Sequence, residues 1–293
     1  MKHEEYQYLE LLQNILNTGI IKSDRTGVGT KSIFGATMRF DIRENFIFLT
    51  TKKLFLRGVF EELKLFLSGD TNTKILEDNG ITIWKGNTSR EFLNKRGLTA
   101  LPEGDLGCGY PHCWRNFGGE HPHLAETKGL RGVDQIASII NSIKNEPNSR
   151  RIYLTGSNPA QEHLAALPAC HNYAQFYVNT AEKKLNCFVL MRSNDLFLGN
   201  PWNLAQYNLL TIYLARLTNL HPGELLYQGI DVHLYLNHLE QARTQLQREP
   251  RPFPQLKISK KLETLDDVLS LKFTDLELVG YNPHPSIPAT MAI

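Results

Sequence analysis

Strand-like and helical periodicities alternate along all 293 residues, with no internal repeat, low-complexity tract or Ser- or Pro-rich linker to divide them. Elements of both kinds must bury their apolar faces against each other, so one α/β (α+β) domain is the simplest architecture. At 41% hydrophobic and 10% aromatic, the chain has residues enough for the core of one large domain or two small ones. Tyr8, Leu11, Leu12, Ile15 and Leu16 recur at helical spacing within Glu4–Thr18, and Leu54–Leu67 repeats that period. Ser32–Phe40 and Phe46–Thr51 are rich in β-branched and aromatic residues and predict a strand pair. Strands are also expected at Arg151–Leu154, His171–Val178 and Leu185–Met191, with a helix over Val133–Lys144. A further helix should run from about Pro201 to Leu217, its Pro suited to a first turn, and a last strand around Asp231–Leu234 should lead into another helix. Asn87–Leu130 mixes Pro, Gly and charge with little periodicity and reads as a long loop region with short helices; ordered loops of that length usually carry function.

Several function classes are disfavoured. The 32 basic and 30 acidic residues nearly cancel, so no broad basic surface for nucleic acid is expected and any anion site must be local. Met1–Glu10 is polar and charged, which predicts no export. Apolar runs such as Leu209–Leu217 break long before the ~20 residues a bilayer requires, so a soluble, cytoplasmic protein is expected. Cys108, Cys113, Cys170 and Cys187 form neither a dense disulfide framework nor C-x-x-C metal ligands, and reduced thiols with no metal are the natural reading. Gly27-x-Gly29 lacks the third glycine of a dinucleotide fingerprint, and no G-x-x-x-x-G-K-[ST] occurs.

The residues able to carry chemistry lie in short clusters. Cys170 precedes His171 at the mouth of a strand, where a thiol can project from a rigid element, although a lone cysteine is more often a small buried residue. Asp24-Arg25-Thr26, Ser149-Arg150-Arg151 and Arg192-Ser193-Asn194-Asp195 each set arginine beside short polar residues, a combination that suits phosphate through paired guanidinium hydrogen bonds. Taken singly, each arginine could equally be a solvated charge or an ion-pair partner. Asn203 follows the turn Leu198–Trp202 near a helix start, where its amide could pair with N3–H and O4 of uracil or could merely cap the helix. His233 and Tyr235 point to one side of a strand and suit a sugar, or a satisfied core.

Together these segments resemble the thymidylate synthase family over nearly the whole chain, from Asp24 to Ile293. The resemblance rests on Asp24–Thr30, Ile83-Trp84, Glu103–Gly107, Ser149–Arg151, Cys170-His171, Gln175–Val178, Arg192–Asp195, Asp231-x-His233-x-Tyr235, Gln245–Pro252 and Gly280–Pro285, in that order. It implies a large, twisted, mostly antiparallel sheet flanked by helices, and a homodimer through the sheet that lends each site two arginines from its partner. It implies dUMP as substrate and 5,10-methylenetetrahydrofolate as co-substrate. Cys170 would add to C6 of the pyrimidine, and Arg25, Arg192 and Ser193, with Arg150 and Arg151 of the other chain, would clamp the phosphate. Arg192 would lower the thiol pKa from an ordinary ~8.5 toward neutrality. Asn203 would fix the base, His233 and Tyr235 the 3′-hydroxyl, and Glu62, Tyr110 and His171 would organise water and protons. Lys52, Ile83, Trp84, Asp195, Gly199, Trp202 and Ala292 fall on the folate side, with Ala292-Ile293 closing over the pocket.

The chain departs from the usual family pattern near these segments. Ala169 stands for Pro, Met191 for Gln, Trp202 for Phe, Gln206 for Ser, Leu65 for Trp and Ser157 for Trp; Lys64 is unusual, and Pro111 follows Tyr110 where Gly is expected. Pyrimidine nucleotide hydroxymethylases share the chemistry as far as the methylene intermediate and then admit water, and a Met-Arg-Ser-Asn-Asp string like 191–195 occurs among them. Methyl transfer is the expected outcome, with hydroxymethylation of dUMP or dCMP as the alternative and a non-catalytic nucleotide- or RNA-binding paralogue as a third reading.

Overall fold

Periodicity sets the first helix. Helix α1 (Tyr6–Thr18) buries Tyr8, Leu11, Leu12 and Ile15 along one stripe, and Glu5 just before it is fully buried. The computed structural model describes residues 2–292. After α1 come β1 (Ile20–Lys22) and β2 (Thr30–Asp41), then α2 (Leu56–Ser68) and the short α3 (Lys74–Asp78), α4 (Arg90–Lys95) and α5 (Tyr110–Asn116). Helix α6 (Gln135–Asn145) starts at Asp134, whose carboxylate accepts from the Ala137 N–H at 2.9 Å and so caps it. Next follow β3 (Tyr153–Thr155), β4 (His171–Asn179), β5 (Lys184–Asp195), α7 (Gly199–Leu217), β6 (His221–Tyr235), α8 (Leu239–Leu246), β7 (Gln255–Ile258), α9 (Leu265–Ser270) and β8 (Leu276–Val279).

Six strands form one sheet in the order β1-β2-β6-β5-β4-β3, and β7 pairs with β8 apart from it. Four of the five pairings in the large sheet are antiparallel. The exception, β5 with β6, is parallel because α7 carries the chain back between them, as a crossover must. Helix α7 packs on β5 and β6 on one side and α2 on another, and it is buried almost all round from Leu204 to Ala215. Among the described residues no helix is long and apolar enough to cross a membrane.

Two expectations need correction. Phe46–Thr51 forms no strand, although every residue in it is buried. Its backbone N–H groups go to scattered partners: Phe46 to the Pro254 carbonyl at 2.7 Å, Ile47 to the Asn208 side chain at 2.7 Å, and Thr50 and Thr51 to the Glu5 carboxylate. With four of its six backbone donors drawn to these separate partners, the segment builds no regular ladder. The strand expected last, by contrast, is far longer than Asp231–Leu234, and β7 and β8 follow it. Gly223 and Gly229 interrupt its side-chain pattern, but pairing with β2 on one edge and β5 on the other holds it extended from His221. The short helices expected within Asn87–Leu130 are present as α4 and α5.

Candidate active site

Cys170 sits one residue before β4 and is half-buried. Pairing of β4 with β5 sets His171 opposite Met191, and the Arg192 N–H donates to the Cys170 carbonyl at 3.0 Å. The guanidinium of Arg192 therefore lies beside the thiol: Nε donates to the Ala169 carbonyl at 2.7 Å, and Nη2 reaches the Pro168 carbonyl at 3.2 Å and Sγ at 4.0 Å. Burial nevertheless pushes the thiol pKa up, and Arg192, then Arg25, recover only part of the shift. This corrects the expected net lowering. The guanidinium spends its best hydrogen bonds on carbonyls, so desolvation of the thiolate outweighs its charge.

Tyr110, the first residue of α5, fixes the backbone around the nucleophile. Its hydroxyl oxygen accepts the Cys170 N–H at 2.6 Å and the His171 N–H at 3.3 Å. The His171 imidazole is buried against Tyr207, Nδ1 to hydroxyl at 2.8 Å, and desolvation lowers its pKa to about 3, so it stays neutral.

Glu62 projects from α2 toward α7 and is buried. Trp84 Nε1 donates to Oε1 at 2.7 Å, while Trp202 Nε1 and Gln206 Nε2 donate to Oε2 at 2.7 and 2.8 Å. Burial pushes this carboxyl up to about 7 against those three bonds. Trp202 lies so close to α2 that a Cβ on Gly58 would stand 2.2 Å from its ring carbon Cη2; only glycine leaves it room. Trp84, half-buried with Ile83 against Leu65, Leu76, Ile81 and Leu106, meets Tyr110 edge-on and offers a flat wall.

The β5–β6 register aligns Ser193 with Asp231 and Asp195 with His233, and β2 brings Thr30 opposite Tyr235. The phosphate-type and sugar-type residues thus share one end of the sheet. His233 and Tyr235 stand edge to face at 5.4 Å, and burial, then the nearby Asp195 and Asp24 carboxylates, push the Tyr235 phenol up to about 12. Asp24 folds its loop by accepting from the Thr26 and Gly29 N–H groups, leaving Arg25 exposed. Asp195 Oδ1 accepts from the Phe197 and Leu198 N–H groups, and Asn203 Oδ1 lies within 3.6 Å of where a Gly199 side chain would begin. Among the described residues neither Asp195 Oδ2 nor the Asn203 amide has a hydrogen-bond partner, so both can serve a ligand. Lys52 is buried, donates to the Phe197 carbonyl and lies over the Phe197 ring at 3.5 Å; desolvation lowers it to about 7.

Arg150 and Arg151 are not brought to this cluster. They are exposed just before β3, at the opposite edge of the sheet from β1. The C-terminal segment is held by Arg248 to the Pro285 carbonyl and by His238 to the Thr290 carbonyl at 2.8 Å; Ala292 is half-buried, and Ile293 lies outside the described residues. Sequence reasoning assigns no role to Gly58, Gln206 or Tyr207. The one available signal was the four-residue spacing of Trp202 and Gln206, which puts both on one face of α7.

A thiol beside two arginines, a neutral histidine and a buried carboxylate define a site for covalent catalysis on an anionic substrate. The sequence model of the family described as thymidylate synthase matches residues 6–293, and the chain belongs to that family. It is 49% identical over 292 residues to the bifunctional dihydrofolate reductase-thymidylate synthase of Leishmania major, covering 99% of this chain and 56% of that protein. It is 47% identical over 292 residues to the corresponding bifunctional protein of Zea mays, covering 100% of this chain and 55% of that one. Against the thymidylate synthase of Homo sapiens it is 46% identical over 291 residues, covering 99% of this chain and 91% of that protein. The chain spans about half the length of the bifunctional relatives.

Proposed function

We propose that the chain transfers one carbon from 5,10-methylenetetrahydrofolate to C5 of dUMP, giving dTMP and dihydrofolate, in the cytoplasm. The observation that carries this reading is the placement of Cys170 beside Arg192 with its backbone pinned by Tyr110. Cys170 adds to C6 of the pyrimidine, and a dianionic phosphate on Arg25, Arg192 and Ser193 sets the ring over it. The unpaired Asn203 amide reads the uracil edge, and His233 with Tyr235 takes the sugar hydroxyl. Glu62, with Tyr110 and His171, moves protons as the C4 carbonyl enolises and the C5 proton leaves; its carboxyl, at about 7, suits that work.

The folate supplies the carbon and then a hydride. The residues present fit it: Trp84 and Trp202 give flat apolar walls, Asp195 Oδ2 is open to a ring N–H, and Lys52 lies in the same region. Gly199 allows close approach, Ile83 packs beside Trp84, and the segment that ends at Ala292 would close over the pocket to exclude water. The relatives compared carry the name thymidylate synthase and none a hydroxymethylase name, so the water-terminated alternative is set aside.

A second copy of the chain completes the clamp. The sheet face turned away from the helices exposes Tyr153 and Tyr177 and presents half-buried Tyr173, Phe188 and Leu226, an apolar cluster suited to burial against a partner. Dimerisation through that face would cover it and could carry Arg150 and Arg151 to the neighbouring site.

The test is incubation with dUMP or dCMP and methylenetetrahydrofolate, following dihydrofolate absorbance and the nucleotide mass. Methyl transfer oxidises the folate in step with product. A product heavier by a hydroxymethyl group without dihydrofolate would overturn the proposal, and turnover of dCMP alone would overturn the role of Asn203. Cys170→Ala should make no product.

A further inference from the structure

Every hydrogen bond that the protein makes to the Glu62 carboxyl is a donation to it. Trp84, Trp202 and Gln206 supply three N–H groups to two oxygens, a set suited to the ionised form. A protonated carboxyl has an O–H to place, and an indole cannot receive it because it is a donor only. Gln206 differs from the two tryptophans. It is fully buried, and its carbonyl oxygen Oε1 has no hydrogen-bond partner while Nε2 serves Glu62. The two ends of the amide are nearly the same size, so a half-turn about its last torsion exchanges them within the same space. Either way one end of the amide faces Glu62 and the other is unpaired, so the turn costs no hydrogen bond. The groups that face Glu62 from the surrounding elements are Trp84 and the α7 pair, none of them charged.

We propose that Gln206 is a positioning residue that holds Glu62 in both protonation states, donating Nε2–H to the carboxylate and, after the half-turn, accepting the O–H of the acid on Oε1. Only an O–H bond forms and breaks, and the proton is the one that Glu62 exchanges during turnover. Trp202, four residues earlier on the same face of α7, stays a donor to Oε2 throughout. A carboxyl poised at about 7 populates both states at neutral pH, which is where such a partner has an effect. The inference rests on the proton-transfer role given to Glu62 above.

The test uses the full chain and compares Gln206→Leu and Gln206→Met with Trp202→Phe, folding being checked by circular dichroism and thermal melting. Infrared titration of the ligand-free protein, with Glu62→Gln subtracted to identify the band, reports the carboxyl directly. Removing Trp202 deletes a donor that binds the carboxylate more strongly than the acid, and should move the titration midpoint up. Removing Gln206 deletes a bond from each form. Its midpoint should stay closer to wild type, while the carbonyl band of the acid moves to higher frequency. In turnover, kcat should fall by about tenfold or more with the dUMP KM within about twofold of wild type. An upward midpoint shift as large as that of Trp202→Phe, with the acid band unmoved, would show Gln206 to be a fixed donor and overturn the inference. If the wild type made no dTMP, the functional reading would fail, yet the titration would still decide the behaviour of the amide.

Discussion

The ring of Tyr110 lies flat on the imidazole of His171, with centroids 3.9 Å apart and 6° between the planes. The stack aims the phenol at the turn into β4, where its oxygen receives the backbone N–H groups of Cys170 and His171. One side chain thereby sets both the nucleophile and the neutral histidine next to it.

Tyr110→Phe should keep the stack and lose the acceptor. Two buried or half-buried N–H groups would be left unpaired, so thermal melting should register a loss of about 1–3 kcal/mol. Misplacing Cys170 should also lower kcat/KM for dUMP by at least about tenfold. Unchanged kinetics would show that the strand alone positions the thiol.

The Cys170 thiol should behave as a buried group partly rescued by cations. Its alkylation by iodoacetamide in the ligand-free protein should accelerate with pH up to a midpoint above that of an ordinary thiol, because burial is the larger influence. Arg192→Ala should move that midpoint higher still. A midpoint that fell, or did not move, would contradict the assigned effect of the guanidinium.

His171 gives a pH dependence with a definite sign. Burial holds it neutral in the fold down to about 3, against 6.5 for a free imidazole, so between those values the unfolded chain binds a proton that the folded chain refuses. Stability is fully present above 6.5 and is lost as pH falls toward 3. His112, lowered to about 4, adds to the same slope, so the contrast between wild type and His171→Asn isolates the residue. The variant should show a shallower fall of Tm across that window; parallel curves would refute it.

Gly58→Ala should destabilise, although alanine in a helix interior ordinarily gains up to about 1 kcal/mol over glycine. The added methyl would meet the Trp202 ring at 2.2 Å, an overlap costing about 1–3 kcal/mol and pushing the indole away from Glu62. Combining it with Trp202→Phe should restore part of the lost Tm. Failure of that rescue would place the clash elsewhere.

Local periodicity was enough to locate α1, α2, α6 and α7 and the cores of β4 and β5, because a repeat of 3.6 or 2 reports which face of an element is buried. Short strings of chemistry-bearing residues single out Cys170, Arg25, Arg192, Asn203, His233 and Tyr235 as candidates, and the strand register sets Cys170 beside Arg192 and His233 level with Asp195. Phe46–Thr51 and the full reach of β6 were beyond that reading. The hydrogen bonds that decide them come from Glu5, Asn208 and Pro254, or from two flanking strands, all distant along the chain. The same holds at the site. Helical periodicity put Glu62 within a helix, and only the family resemblance implied that Arg192 lies near the Cys170 thiol. Only the tertiary structure decided that burial outweighs the guanidinium at Cys170, and that two tryptophans and Gln206 close on Glu62. Desolvation and donor geometry are properties of packing, and no local pattern carries them.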